Sequence, residues 1–266
     1  MKKILLSLIP VLIALNVPAQ DWAKARLEKS PRHHEWVKVK SGDREVNCYV
    51  TYPEVKGKAP VVLVIHEIFG LTDWAQSVTD ELAENGYIAI APDLVSGMAP
   101  GGGGTAEAGS TQAATKLVSA LPPAQVTADL NAVADYAVKL AVGNGKLSVV
   151  GFCWGGAQAF RYAANNPDLK AAFVFYGTPP KQEEMAKINC PIYGFYGEID
   201  THVTPTVAKT VDLMKQEKKA FEPVIYDGAG HGFMRAGEAQ PPDANAANKK
   251  AHDDAWARLK ELLKKL

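Results

Sequence analysis

The sequence predicts an α/β fold: one domain with a mostly parallel, twisted sheet of about eight strands flanked by helices. Three observations carry this. Strand-like runs alternate with helical segments after about residue 35, the pattern of βαβ units. Central runs such as Val61 to Ile65 are continuously β-branched and aliphatic, as strands covered on both faces are. The length of 266 residues is enough to bury one large core.

Residues 20–35 are polar and include Pro31, so they predict an arm ahead of the domain. Trp36 to Lys40 and Val46 to Tyr52 predict a β-hairpin turning at Ser41-Gly42-Asp43. Val61 to Ile65 is the first buried strand. Trp74 to Asn85 predicts a helix closed by Gly86, since glycine adopts the left-handed C-cap without strain. Tyr87 to Ala91 is the next buried strand. Leu94 to Ala120 is irregular, and its four consecutive glycines, 101–104, predict a mobile loop. A helix is expected over about Ala124 to Val142. Strands follow at Leu147 to Val150, Ala171 to Tyr176, Ile192 to Tyr196 and Glu222 to Tyr226, with helices at Trp154 to Asn165, Val203 to Lys219 and Ala244 to Lys264.

Lys2 and Lys3, the apolar run Ile4 to Val17, and Val17-Pro18-Ala19 have the layout of a secretory signal peptide cleaved before Gln20. The run is short and interrupted for a membrane span, and an uncleaved anchor is the alternative. The organisation expected is a signal peptide over residues 1–19 and one domain over residues 20–266, exported, as to a bacterial periplasm. Twenty-nine basic and 29 acidic residues cancel, which gives no reason to expect nucleic acid or an anionic membrane as partner.

Export sharpens the meaning of the three cysteines. An odd number in an oxidising compartment leaves at least one thiol unpaired within the chain. Cys48 and Cys190 lie in or beside strands, where two buried thiols are expected and a disulfide is the alternative. Cys153 differs by context.

In parallel α/β sheets, ligands bind at the carboxyl ends of the strands. Leu147 to Val150 runs into Gly151-Phe152-Cys153-Trp154-Gly155-Gly156, and then a helix begins. This is the nucleophile-elbow pattern with cysteine in the nucleophile's place. The residue sits in a tight strand-to-helix turn, so the positions two before and two after must be small. The helix N-terminus favours a thiolate. The strand at Ile192 to Tyr196 ends in Gly197-Glu198-Ile199-Asp200, and the last strand ends in a glycine-rich loop carrying His231. Asp200 can orient an imidazole, with Glu198 as the alternative acid. Nucleophile, acid, base is the chain order of the α/β-hydrolase triad.

Val61 to Ile65 leads into His66-Glu67-Ile68-Phe69-Gly70. In this fold that loop supplies one oxyanion N–H and the residue after the nucleophile the other, which singles out Ile68 and Trp154. Glu67 then lies inside the site. It either opposes thiolate formation or takes the thiol proton when substrate arrives. His66 is expected to be a hydrogen-bonding residue of the loop. Phe69, Trp74 and Trp154 are candidates for an apolar substrate wall, and Tyr176 is expected in the core. His33 and His34 are expected to be solvated, with no metal or organic cofactor implied.

From Trp36 to Leu266 the chain resembles the dienelactone hydrolase family of α/β-hydrolases, through HEIFG (66–70), APDL (91–94), GFCWGG (151–156), YGEID (196–200) and HGFMR (231–235). The resemblance implies a Cys153, Asp200 and His231 triad, Glu67 as the residue that helps activate the cysteine, and Arg235 as the binder of a substrate carboxylate. Read without the resemblance, Arg235 is equally well a surface ion pair. The dienelactone-cleaving members of the family have a second arginine after the APDL strand; residues 94–116 contain none. The function expected is cysteine-dependent hydrolysis of a small carboxylic ester or lactone, with a carboxylate-bearing substrate one expectation, by a monomer or dimer. The rival expectations are an exported redox-sensing thiol protein and a non-catalytic binding protein on the same fold.

Overall fold

The computed structural model describes residues 21–239 and 242–266; the expected signal peptide lies outside them. The chain first forms α1 (Asp21–Lys29), then a hairpin of β1 (His34–Ser41) and β2 (Arg44–Thr51), β3 (Ala59–Ile65), α2 (Asp73–Glu84) and β4 (Ile88–Pro92). Next come α3 (Thr111–Ser119), α4 (Pro123–Val138), β5 (Gly143–Phe152), α5 (Trp154–Ala163), β6 (Ala172–Phe175) and the single turn α6 (Gln182–Met185). The remainder is β7 (Ile192–Gly197), α7 (Val207–Gln216), β8 (Phe221–Tyr226), α8 (Phe233–Glu238) and α9 (Ala246–Leu263).

The eight strands form one sheet in the order β1-β2-β4-β3-β5-β6-β7-β8. The β1–β2 and β2–β4 pairs are antiparallel, and every other pair is parallel. Side chains of a strand alternate between faces, and β3 shows the result. Val61, Leu63 and Ile65 pack with α4 and α5 on one face; Val62 and Val64 pack with α2 and α9 on the other. Both faces are therefore dry, which is why the sequence of this strand lacks polar alternation. The chain proceeds from β3 outward to β4 and later returns beside β3 as β5. The carboxyl ends of β3 and β5 thus meet at the reversal of strand order, where such sheets open a crevice.

Several boundaries differ from expectation. Residues 20–35 are not only an arm: α1 forms there, burying Ala23 and Leu27. Arg32 anchors the following segment with a two-pronged ion pair to Asp80 of α2, at 2.8 and 2.6 Å. The helix expected to reach Val142 stops at Val138, because Gly143 N–H bonds back to Leu140 in a turn and Gly143 then opens β5 beside Ala59. The glycine-rich segment is tied down, not loose. Asp93 accepts from Thr105 N–H and hydroxyl, Glu107 accepts from Gly104 N–H, and Ser110 caps α3. A Cβ on Gly104 would lie 2.2 Å from an Asp93 carboxylate oxygen, so any larger residue there would push that carboxylate off Thr105. All three cysteines are free, with Cys48 and Cys190 buried. Among the described residues no helix is long and apolar enough to cross a membrane.

Candidate active site

The turn from β5 to α5 lifts Cys153 out of the sheet. Its φ of 55° and ψ of −118° are strained for a residue with a Cβ. Neighbouring backbone closes around it. A Cβ on Gly151 would sit 2.0 Å from the Gly155 carbonyl oxygen, and one on Gly155 would sit 2.3 Å from those of Ile65 and His66. Both positions therefore exclude every residue except glycine. That explains the glycine pair seen in the sequence.

Three strand ends converge on the thiol. His231, in the loop after β8, places Nε2 3.1 Å from Cys153 Sγ, and its Nδ1 is 2.6 Å from Asp200 Oδ2. Asp200, after β7, is fixed by His202 and Val203 N–H groups, both donating to Oδ1 at 3.0 Å. Glu198 instead accepts from Gly228 N–H and does not reach the imidazole. Burial pushes the Asp200 carboxyl up, but the His231 bond and the two backbone donors outweigh it and hold it below its ordinary value. Burial likewise lowers His231, but the bonds to Cys153 and then Asp200 prevail and raise it to about 9. The imidazole is thus poised to be protonated, with its charge between a sulfur and a carboxylate.

The loop after β3 brings Glu67 into the same crevice, buried to 3 % exposure. Its carboxylate does not meet the thiol; Arg235 of α8 donates Nε–H to Glu67 Oε2 at 2.8 Å. The Arg235 guanidinium lies 5.2 Å above the Phe69 ring. Ile68 and Trp154 follow Glu67 and Cys153 directly, and neither backbone N–H has a hydrogen-bond partner among the described residues. His66 braces this region. Leu94 N–H donates to its Nε2 at 3.4 Å, which leaves Nδ1–H to donate to the Glu67 carbonyl at 2.7 Å. Its ring stacks on Trp154. Complete burial lowers its pKa, consistent with a neutral ring.

One aromatic residue differs from its sequence-based assignment, and a second does more than its assignment states. Trp74 is not a substrate wall: it is 1 % exposed, edge-on to Phe152, with Nε1–H donating to Glu238. Tyr176 is buried in the core as expected; it follows β6 directly with a φ of 39° and also sets its ring against His231 at 5.0 Å. Its hydroxyl is buried beside the Glu67 carboxylate, without a hydrogen bond of ordinary geometry between them. Burial and then Glu67 hold that phenol well above its usual range. The available signal was the position of the tyrosine at a strand end, directly before Gly177.

The dienelactone hydrolase family model matches residues 46–266. An Escherichia coli (strain K12) protein named "Putative carboxymethylenebutenolidase" is 34 % identical over 237 residues, 84 % of this chain and 83 % of that protein. The crystal structure named "Putative Dienelactone Hydrolase" from Klebsiella pneumoniae superposes with a TM-score of 0.74 and 31 % identity, covering 86 % of this chain and 96 % of that one. A dienelactone hydrolase-like promiscuous phosphotriesterase from metagenomic libraries, 22 % identical with a TM-score of 0.73 over 88 % of this chain and 98 % of its own, shares the fold.

Proposed function

This chain belongs to the dienelactone hydrolase family, and from that membership we propose that it hydrolyses carboxylic esters or lactones with Cys153 as nucleophile, through an acyl-thioester. The observation that carries the reading is the unbroken run from Cys153 Sγ to His231 to Asp200, at 3.1 and 2.6 Å. Cys153 gives its proton to His231, directly or through Glu67, and the resulting thiolate attacks the substrate carbonyl. The Ile68 and Trp154 N–H groups stabilise the oxyanion, at about 3 kcal/mol per donor. As the carbon–oxygen bond breaks, imidazolium His231 gives its proton to the departing alkoxide. Neutral His231 then takes a proton from water, the hydroxide adds to the thioester, and the thiolate leaves with a carboxylate product. Asp200 keeps the imidazole in the tautomer that both steps need.

Arg235 supports a carboxylate-bearing substrate, because its planar fork binds carboxylates well. When a substrate carboxylate takes the guanidinium, Glu67 loses its partner and is free to assist the thiol proton. The missing second arginine in residues 94–116 argues for a substrate other than the dienelactones. The redox alternative is less well supported: Cys48 and Cys190 are buried, and burial raises both thiols, Cys190 to about 11. Neither is suited to resolve an oxidised Cys153 as a thiolate.

The test is hydrolysis of p-nitrophenyl acetate and a panel of small lactones by the wild type beside Cys153→Ala, with intact-mass detection of the acyl adduct. A burst of p-nitrophenolate and an acyl mass on Cys153, both absent from Cys153→Ala, is the expected result. Undiminished turnover by Cys153→Ala would overturn the reading.

A further inference from the structure

The family match begins at residue 46, yet a side chain ahead of it reaches into the neighbourhood of the site. Arg26 of α1 donates Nη2–H to Glu81 of α2 and Nη1–H to Glu238 of α8, each at 3.0 Å. Glu238 also accepts from Trp74 Nε1–H at 2.9 Å and faces His252 Nε2 of α9 at 3.4 Å. One carboxylate at the end of α8 is thus held from α1, α2 and α9. One turn earlier on α8, Arg235 holds Glu67.

A six-residue helix such as α8 is too short to hold its own conformation, so its orientation comes from its contacts. Phe233 and Met234 are buried at its start, and Glu238 secures its end. The end contact is electrostatically vulnerable. Glu81 and Glu238 side chains are each only 13 % exposed, and Glu238 disfavours ionisation of Glu81. Arg26 is the fork that bridges them. His252, whose pKa is raised against burial by Glu238 and then Asp253, places Nε2 toward Glu238 and Nδ1 toward Asp253. Without Arg26, two like charges on facing helices repel across a half-dry gap, and the repulsion acts on α8.

We infer that Arg26 and Glu238 are positioning residues for carboxylate recognition: they fix α8 so that Arg235 meets a substrate carboxylate. The inference rests on the proposed role of Arg235. It places a specificity function in a helix outside the family match.

The experiment compares wild type, Arg26→Gln, Glu238→Gln and Arg235→Gln on neutral p-nitrophenyl butyrate and carboxylate-bearing mono-p-nitrophenyl glutarate. Arg26→Gln and Glu238→Gln should each raise KM for the glutarate by about fivefold, the effect of a modest coupling energy. Their kcat, and KM for the butyrate, should stay near wild type. Glu238→Gln keeps an acceptor for Trp74 and serves as the milder variant if Arg26→Gln folds poorly. A larger effect confined to the glutarate in Arg235→Gln supports the arginine's role independently. If Arg235→Gln discriminates between the esters and the two positioning variants do not, the inference fails alone. If Arg235→Gln does not discriminate, its proposed role fails and the inference with it. Equal losses on both esters in the positioning variants indicate general destabilisation and also overturn the inference.

Discussion

Glu67 and Arg235, 168 residues apart in the chain, neutralise each other inside the crevice, with Arg235 Nε–H donating to Glu67 Oε2 at 2.8 Å. The Glu67 side chain is 4 % exposed and that of Arg235 26 % exposed, so the arginine is the member that solvent and substrate can reach. Arg235 is held above its ordinary value first by Glu67. Under the role proposed for Arg235, a substrate carboxylate would share the guanidinium with a carboxylate already in place, so its binding would be coupled to the hold on Glu67.

Glu67→Gln separates the two consequences of that coupling. The amide leaves Arg235 without its counter-charge, so KM for a carboxylate-bearing ester should fall severalfold. The same change removes a base from the crevice, so kcat should fall, by roughly tenfold to a hundredfold. Steady-state kinetics on paired neutral and carboxylate esters read both effects. A KM that rises for both esters would contradict the competition.

Cys153→Ser tests whether the site is tuned for a thiol. The hydroxyl fits the elbow, but a hydroxyl is a far weaker acid than a thiol, so His231 activates it less readily. Activity should fall by roughly a thousandfold or more, with the fold retained by circular dichroism. Asp200→Asn should cost a comparable factor, since the amide can present a donor to Nδ1 and favour the wrong tautomer. Near-normal turnover in either variant would remove that residue from the mechanism.

The strand ends were legible because the chemistry there is local. Gly151 and Gly155 flank Cys153 within five residues, and Asp200 and His231 each follow a recognisable strand in glycine-containing turns. The expected eight strands are all present, since continuous aliphatic runs such as β3 have no other stable placement than between two helical layers. What escaped depends on distance in the chain. Arg26 and Glu238 are separated by 212 residues, and nothing local to either marks the contact. The helix α1 could have been found from its helix-favouring Ala, Leu, Lys and Arg content, but its charge made it look like a solvated arm. Trp74 was misplaced because an aromatic residue beside the crevice and one behind it have the same local sequence signature; its burial is set by Phe152 and Glu238.

Gly155→Ala should be among the most damaging single-methyl changes in the protein. The added Cβ would lie 2.3 Å from two backbone oxygens, those of Ile65 and His66, and backbone cannot rotate aside as a side chain can. Relief requires moving the elbow off β3, at a cost of about 3 kcal/mol or more. Chemical denaturation should show that loss or an insoluble product. Gly145→Ala is the control: its Cβ meets nothing within 4 Å, though its φ of 79° adds local strain, and its loss should be about 1 kcal/mol. Equal losses in the two variants would show that contact with β3 is not what excludes a side chain at position 155.

The His231 pKa of about 9, against an ordinary 6.5, ties the His231–Asp200 contact to folding stability, and the sign is fixed. The folded value lies above the unfolded one, so the native state binds the proton more tightly. This contribution is fully present below about pH 6.5 and is lost as pH rises through about 9. Asp200 titrates far below that window, held under its ordinary value, so it stays ionised throughout. Asp200→Asn removes one of the partners that raise His231. The imidazole should then titrate below 9 by NMR of the ring protons. The stability gap between wild type and Asp200→Asn should be larger at pH 6 than at pH 10. A gap that is constant across this range would mean that Asp200 does not raise the His231 pKa, and its part in holding the imidazolium would have to be withdrawn.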